Sequence, residues 1–466
     1  MMYTSTRGAA APISFLQAIE SGLAPDGGLY VPTVWPQLSV EDFQCLSDAP
    51  FSDVAADMLA AFASPGEDVT SDSLRPLMRE AYATFDHPET APLRDLGDDL
   101  YLLELFHGPT LAFKDVAMQA LSRLYPLARR DKPQRKTILC ATSGDTGGAA
   151  IAAFADAPGV DLFVLHPEGR ISDVQRRIMT VNPGANIHNI AIKGSFDDCQ
   201  SIVKTLFIDP ALNDELDLGG VNSINWVRLA AQTSYYVTSI AKLGLSSAPA
   251  FIVPTGNFGD VFAGYAAKKT GLPVGRFGVA VNENDIMHRV LSTGEYAPAG
   301  VRATSSPSMD IQVASNFERL IFEAMGRDGA RLASLMDEFA DKKSMTIPGD
   351  VRSQIDSDFT SARADDRETA EKIAEIHKRH DILIDPHTAV GLVAADKMRA
   401  SQAITGPMVV LSTAHPAKFP EAVEAACGVH PGLPERYEDL HSRSERFEVL
   451  PAVSSEVSNF IRGRKG

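Results

Sequence analysis

Cysteine is scarce. The 466-residue chain has four, Cys45, Cys140, Cys199 and Cys427, far apart and with no C-x-x-C pair. That spacing excludes a disulfide framework and a cysteine zinc cage, and it fits a reducing cytoplasm. Positive charge is in deficit: Lys plus Arg is 43 against 60 for Asp plus Glu, a net charge of −17. A surface of that sign repels nucleic acid and anionic lipid, so neither is an expected partner. No apolar stretch approaches the roughly 20 residues that span a bilayer; the run from Ala149 to Ala155 is cut at Asp156. The opening Met1-Met2-Tyr3-Thr4-Ser5-Thr6-Arg7 lacks the basic-then-apolar order of a secretory signal, and no cleavage is expected. Fixed-period repeats and low-complexity tracts are missing. So are G-x-G-x-x-G and G-x-x-x-x-G-K-[ST], which disfavours dinucleotide and nucleoside triphosphate sites. No His, Asp or Glu residues stand at a metal-ligand spacing, so no metal is expected.

What is present is an ordinary globular composition, 44% hydrophobic and 22% charged, with enough apolar material for a large core. At roughly 150 residues per domain the length implies two or three domains. Short apolar runs alternate with helical patterns. Thr137 to Thr142 reads as a strand, Ser143-Gly144-Asp145-Thr146-Gly147-Gly148 as a loop, and Ala149 to Ala155 as a helix. The order returns with Ala250 to Thr255, Gly256-Asn257-Phe258-Gly259-Asp260 and Val261 to Lys269, and a third strand, Met408 to Leu411, precedes Ser412-Thr413-Ala414-His415-Pro416. Repeated β-loop-α units predict α/β architecture with parallel strands covered on both faces. Ala117, Ala120, Leu121 and Leu124 predict one cover helix, stopped or kinked at Pro126; Thr233, Val237, Ile240 and Ala241 predict another before Gly244. The stretch from Asp341 to Arg379 is dense in charge and predicts peripheral helices on a solvated face. The first 90 residues lack the βα rhythm, are broken early by Pro25-Asp26-Gly27-Gly28, and predict an extra domain.

The run His107-Gly108-Pro109-Thr110-Leu111-Ala112-Phe113-Lys114-Asp115 places a lysine beside apolar residues at a helix start. Desolvation and the positive helix end both lower an amine's proton affinity, as a Schiff-base lysine requires. A surface lysine opening a helix is the plain alternative. Gly256 to Asp260 lies between a strand and a helix, where backbone amides and the helix dipole suit a phosphate monoester; a simple turn accounts for it equally. The donors of Ser143, Gly144, Asp145 and Thr146 suit a carboxylate or a second phosphate, and otherwise cap a helix. Thr413 offers a neutral hydroxyl at a strand end. His107, His387 and His415 sit on separate loops and read as structural donors rather than as the main base.

Together with Ser306-Pro307-Ser308-Met309-Asp310-Ile311-Gln312 and Asp385-Pro386-His387-Thr388-Ala389-Val390-Gly391, these runs resemble threonine synthase in its longer bacterial and fungal form, over nearly the whole chain. The resemblance implies a fold type II pyridoxal-phosphate enzyme: two doubly wound α/β domains with the cofactor between them, plus the N-terminal domain. It implies Lys114 as the lysine that binds the cofactor, Gly256, Asn257, Phe258, Gly259 and Asp260 on its phosphate, and Thr413 facing its pyridine nitrogen. The domains it implies are residues 1–90, a large cofactor-binding domain of 91–132 and 221–466, and a small closing domain of 133–220. The implied reaction is a carbon–oxygen lyase step followed by replacement: O-phospho-L-homoserine and water give L-threonine and phosphate, in the cytoplasm, by a monomer or homodimer. A two-anion substrate needs two donor sites. The Ser143 loop is the candidate for the carboxylate; Ser308, Asn316, Arg319 and Arg228 are candidates for the phosphate, since an arginine fork suits it. The rival readings are a phospho-lyase or dehydratase on the same scaffold and a phosphate-ligand sensor without chemistry.

Overall fold

A computed structural model describes residues 1–181, 184–244 and 248–464. The expected domain ranges also take in residues 182–183, 245–247 and 465–466, which lie outside the described residues. The strands in chain order are β1 (Tyr3–Ser5), β2 (Tyr30–Pro32), β3 (Leu93–Asp95), β4 (Leu100–Glu104), β5 (Lys136–Ala141), β6 (Val160–Pro167), β7 (Ile187–Lys193), β8 (Leu218–Gly219), β9 (Ala250–Pro254), β10 (Phe277–Val281), β11 (Glu295–Tyr296), β12 (Met345–Thr346), β13 (Phe359–Arg363), β14 (Met408–Ser412) and β15 (Glu448–Pro451). Two sheets organise the chain. The larger has the order β13-β10-β9-β14-β4-β3 and the smaller β15-β7-β6-β5-β8. All their pairings are parallel except β3 with β4. The continuous apolar runs follow from burial on both faces: β9, β10 and β14 are buried along their whole length, as is β6.

This order decides where the chemistry sits. Strand β14 lies between β9 and β4, with Val410 opposite both Ile252 and Leu102. Because the three strands are parallel neighbours, the segments that follow them leave the same sheet edge side by side. Those segments are the Lys114 run, the Gly256 loop and the Thr413 loop.

The helices begin earlier than the sequence pattern places them. The helix after the Ser143 loop spans Asp145–Phe154, and that after the Gly256 loop spans Gly259–Lys269, because polar and glycine residues occupy their first turns. The Lys114–Ala128 helix runs through Pro126 and ends two residues beyond it, so the expected stop comes slightly late. The charged stretch after Asp341 does give helices, Gly349–Asp358 and Asp366–His380, but it also supplies β13, which adds to the large sheet beside β10.

Two domain expectations change. The N-terminal segment is present as a distinct set of elements, yet it has no core of its own. Its helices Phe51–Ala61 and Ser71–Tyr82 pack on the Trp226–Leu243 and Lys114–Ala128 helices. Trp226 meets the rings of Tyr3, Trp35 and Phe62 at 5.8, 5.9 and 5.5 Å. The chain end, expected in the large unit, returns to the small sheet: β15 pairs with β7, and Val457 and Ile461 of the Ser454–Arg464 helix are buried against Ile202 and Leu206. An amphipathic helix must bury its apolar side chains, and the outer face of the small sheet provides the place.

Candidate active site

The local turn around Lys114 is held by its neighbour. The Asp115 carboxylate accepts the Thr110 backbone N–H at 2.7 Å and the Thr110 hydroxyl at 2.6 Å. A Cβ on Gly108 would lie 2.4 Å from Asp115 Cβ, so only glycine allows this closure. Leu111 is in the left-handed region, with φ 61°. Phe113 N–H then donates to the Thr413 carbonyl at 2.9 Å, and His415 N–H to the Leu111 carbonyl at 3.0 Å. The lysine run and the Thr413 loop are thus stitched together, and Lys114 opens its helix between them.

Lys114 is 14% exposed and its Nζ lies 3.3 Å from Asp145 Oδ2. Burial lowers its amine below the ordinary lysine value; Asp145 opposes that shift, and Lys418 and Arg228 add to it. Asp145 is the hub of the site. It also receives Lys418 Nζ at 2.5 Å, Gln175 Nε2 at 2.8 Å and Ser308 Oγ at 3.1 Å. Burial pushes the Asp145 carboxyl up, but Lys418 and then Lys114 outweigh burial and hold it well below the usual carboxylate range. An anion bound to two lysines is no donor for a substrate carboxylate, so only the Asp145 backbone N–H, at the helix start, is left for the role expected of this loop, and its side chain cannot take that role. Its loop neighbours keep theirs open: the hydroxyls of Ser143 and Thr146, both half-buried, have no protein partner among the described residues. Gly144 is buried, and its N–H donates to Thr142 Oγ1 at 3.0 Å.

The Gly256 loop sits against Ser308. A Cβ on Gly256 would come 2.6 Å from the Ser308 carbonyl oxygen, so a glycine is required for the approach. Phe258 is left-handed at φ 64°, with its buried ring against Phe317 and Phe359. Among the described residues, no protein acceptor takes the backbone N–H of Gly256, Asn257, Phe258 or Gly259. Those unspent donors lie at the start of the Gly259–Lys269 helix, as an anion site requires. Asp260 faces inward: its Oδ1 accepts Thr255 Oγ1 at 2.8 Å and Val261 N–H at 2.9 Å, and burial pushes its carboxyl up to about 6.

Ser308 joins the loop to a second relay. Its N–H donates to His387 Nε2 at 3.2 Å, while His387 Nδ1 lies 2.6 Å from Asp385 Oδ2. Because Nε2 accepts, the ring proton of His387 sits on Nδ1 and donates to Asp385. His387 is therefore a structural acceptor for the Ser308 turn, which is braced further by Asn282, Asn284, Thr304 and Asp310. His415 is pushed down to about 4, first by burial and then by His107, and accepts Ala417 N–H at Nδ1. His107 is tied to Glu104 at 2.9 Å.

The arginine candidates are corrected. Arg319 is fully buried, and its fork donates to the Tyr30 carbonyl at 3.0 Å, the Ile224 carbonyl at 2.6 Å and Asn316 Oδ1. Each of its three nitrogens is already engaged by the protein inside the core. Asn316 passes that support on, its Nδ2 donating to the Asn257 carbonyl at 3.0 Å, so it braces the Gly256 loop instead of meeting a substrate phosphate. Arg228 is 2% exposed and donates to the Val221 carbonyl at 2.9 Å; burial lowers its guanidinium to about 10. Its charge acts on Lys114 from within the core. Thr413 is buried beside Phe113, with no protein partner for its hydroxyl among the described residues. Lys418 escaped the sequence reading, because a lysine after a strand and two residues beyond a proline carries no periodic or motif signal.

Three protein-family descriptions match in succession: "Threonine synthase N terminus" over residues 2–82, "Pyridoxal-phosphate dependent enzyme" over 87–340 and "Threonine synthase, C-terminal" over 388–461. The threonine synthase of Pseudomonas aeruginosa is 44% identical over 470 residues, covering 100% of this chain and 99% of its own. The crystal structure of pyridoxal-phosphate-bound threonine synthase from Brucella melitensis superimposes with TM-score 0.95 at 46% identity, covering 100% of this chain and 99% of that one. The yeast threonine synthase structure does so with TM-score 0.92 at 36% identity over 99% and 98%. With the lysine, the glycine loop and the two parallel sheets in place, the chain belongs to the threonine synthase family of fold type II, pyridoxal-phosphate-dependent enzymes.

Proposed function

We propose that this enzyme converts O-phospho-L-homoserine and water to L-threonine and phosphate, working in the cytoplasm as a monomer or homodimer. The residues present fit the cofactor. A buried amine of lowered proton affinity, Lys114, suits its aldehyde, and the unspent N–H groups of Gly256 to Gly259 suit its phosphate. Thr413, buried beside Phe113, would offer its hydroxyl to the ring nitrogen. When bound, pyridoxal phosphate supplies the electron sink for bond breaking at the substrate's α carbon.

The protein's part is positioning and proton movement. The Lys114 amine takes the proton from Cα and then one from Cβ as phosphate departs from Cγ. One proton is returned to Cγ, water places its hydroxyl on Cβ, and a proton goes back to Cα, so that water is the only atom source consumed. A primary amine on a four-carbon stem can serve these carbons in turn. Ser143 and Thr146, at the start of the Asp145–Phe154 helix, orient the substrate carboxylate. Of the phosphate candidates Ser308 is the one at the Asp145 hub; its hydroxyl donates to that carboxylate and would have to turn from it to meet a substrate phosphate. All four cysteines are free, which suits a reducing compartment. No helix among the described residues is long and apolar enough to cross a membrane.

The observation that carries the proposal is the meeting of Lys114 with Asp145 of the Ser143 loop, a buried carboxylate that also holds the Ser308 turn on which the Gly256 loop packs. Incubation with O-phospho-L-homoserine, followed by identification of the amino acid and of free phosphate, tests it. L-Threonine and phosphate in equal amounts are expected. A keto acid with ammonia would favour the dehydratase reading, and no turnover would favour the sensor.

A further inference from the structure

Lys418 is a buried cation for which the reaction has no obvious use. Its side chain is 2% exposed, and its Nζ is bound to Asp145 Oδ1 at 2.5 Å and to the Thr110 carbonyl at 2.9 Å. Its own carbonyl accepts the Ser172 hydroxyl at 3.1 Å. The residue is thereby fixed on one side to the lysine run and on the other to the small sheet's helices. Lys114 reaches the other oxygen of the same carboxylate, more loosely, at 3.3 Å.

We infer that Lys418 is the permanent counter-ion of Asp145, and that its charge leaves Lys114 free to give up its proton. The reasoning is electrostatic. Were Lys114 the sole cation on Asp145, each loss of its proton would strand an uncompensated carboxylate in the interior, and Lys114 would stay charged and unreactive. With Lys418 on Oδ1, the carboxylate stays paired whichever state Lys114 adopts. Lys418 also repels a charge on Lys114 directly. The other charged groups around these three leave this balance in place. Arg228 also faces Lys114 and acts in the same sense as Lys418, and Asp260 feels Lys114 from beneath the glycine loop. His387 acts on Asp145. Asp115 and His415 feel Lys418, but the Asp115 carboxylate is occupied by Thr110. Lys418 is a positioning residue: it acts through Asp145 and Lys114.

The inference rests on the proposed function only in taking Lys114 as the reactive amine, and its test needs no substrate. The full-length protein, freed of cofactor, is acylated with acetic anhydride across pH, and the Lys114 peptide is quantified by mass spectrometry to give the midpoint of its titration. Lys418→Met and Lys418→Gln should both raise that midpoint by about one unit or more. Gln retains hydrogen bonding to Thr110 and Asp145, so agreement of the two isolates charge, and either variant suffices if the other fails to fold. Lys418→Arg should restore the parental midpoint. In the loaded enzyme, the acid limb of kcat/KM should move up with the amine in the Gln and Met variants, with activity recovering toward the parent at high pH. An unmoved Lys114 midpoint, or a loss of activity equal at every pH, overturns the inference and leaves Lys418 as a structural tie.

Discussion

Gly256→Ala is the substitution whose cost the structure sets most directly. The added Cβ would stand 2.6 Å from the Ser308 carbonyl oxygen, whereas ordinary contact begins near 3.4 Å, so one side must give by about 0.8 Å. Ser308 cannot retreat freely. Its hydroxyl is 3.1 Å from Asp145 and its N–H 3.2 Å from His387, and a displacement of that size takes both beyond hydrogen-bonding distance. If the loop moves instead, the unspent amides of Asn257 to Gly259 lose their common aim. Overpacking of this kind costs about 1 to 3 kcal/mol, or roughly 5- to 150-fold in an equilibrium that depends on the loop. Pyridoxal phosphate affinity, measured by titrating the cofactor-free protein in the visible band, should fall by that factor. Gly259→Ala is the internal control, because its Cβ would meet only the Asn316 amide and Ser223 Cβ, both at 3.4 Å. Retention of affinity within twofold by Gly256→Ala, or an equal loss in both variants, refutes the reasoning.

Borohydride reduction of the loaded protein should fix the cofactor on the Lys114 peptide, and Lys114→Ala should lose turnover by about 10³-fold or more while still binding cofactor through the glycine loop; a labelled Lys193 or Lys242 peptide would sink the assignment. Arg319→Met leaves the Tyr30 and Ile224 carbonyls and Asn316 without their donor, and should lower unfolding stability by about 3 kcal/mol in a urea titration, together with cofactor affinity. Asp260 has its folded pKa raised to about 6, so the native state holds an extra proton between about pH 4 and 6, and that stabilisation is lost as pH rises through 6. The stability difference between the parent and Asp260→Asn should therefore change across that window, by an amount on the order of 3 kcal/mol, and a difference that is flat with pH would contradict it. Thr413→Asp should shift the visible band and lower threonine formation more than cofactor affinity, whereas Thr413→Ser should be mild; an unchanged band would make Thr413 a structural residue only.

The legible parts of the site were those that depend on local sequence. The Lys114 run, the Ser143 loop and the Gly256 loop each couple a short apolar strand to a helix start, and that pattern lies within about a dozen consecutive residues. Thr413 was legible for the same reason. The arginines misled because a guanidinium suits a phosphate in chemistry, while sequence carries no information on which acceptors surround it. Arg319 meets carbonyls contributed by Tyr30 and Ile224, 289 and 95 positions away, and no local rule could place them there. The helix ending late at Pro126 and the early starts at Asp145 and Gly259 are errors of a few residues at boundaries, where caps and first turns tolerate polar and glycine residues.

The return of the chain end to the small sheet was hidden for a related reason. Strand β15, Glu448-Val449-Leu450-Pro451, is short and opens on a charge, and only its pairing with β7 shows which sheet it joins. A comparable distance separates Lys418 from Asp145 in sequence, and there the consequence is chemical. A carboxylate at the start of one sheet's helix takes one amine from the lysine run and another from the loop after β14, so its charge balance is set only when both sheets are assembled. Residues read singly gave Asp145 the role of a donor for substrate. The assembled site makes it the anion that opposes the loss of a proton from Lys114, against the lowering by burial, and a second cation keeps it paired when Lys114 gives that proton up.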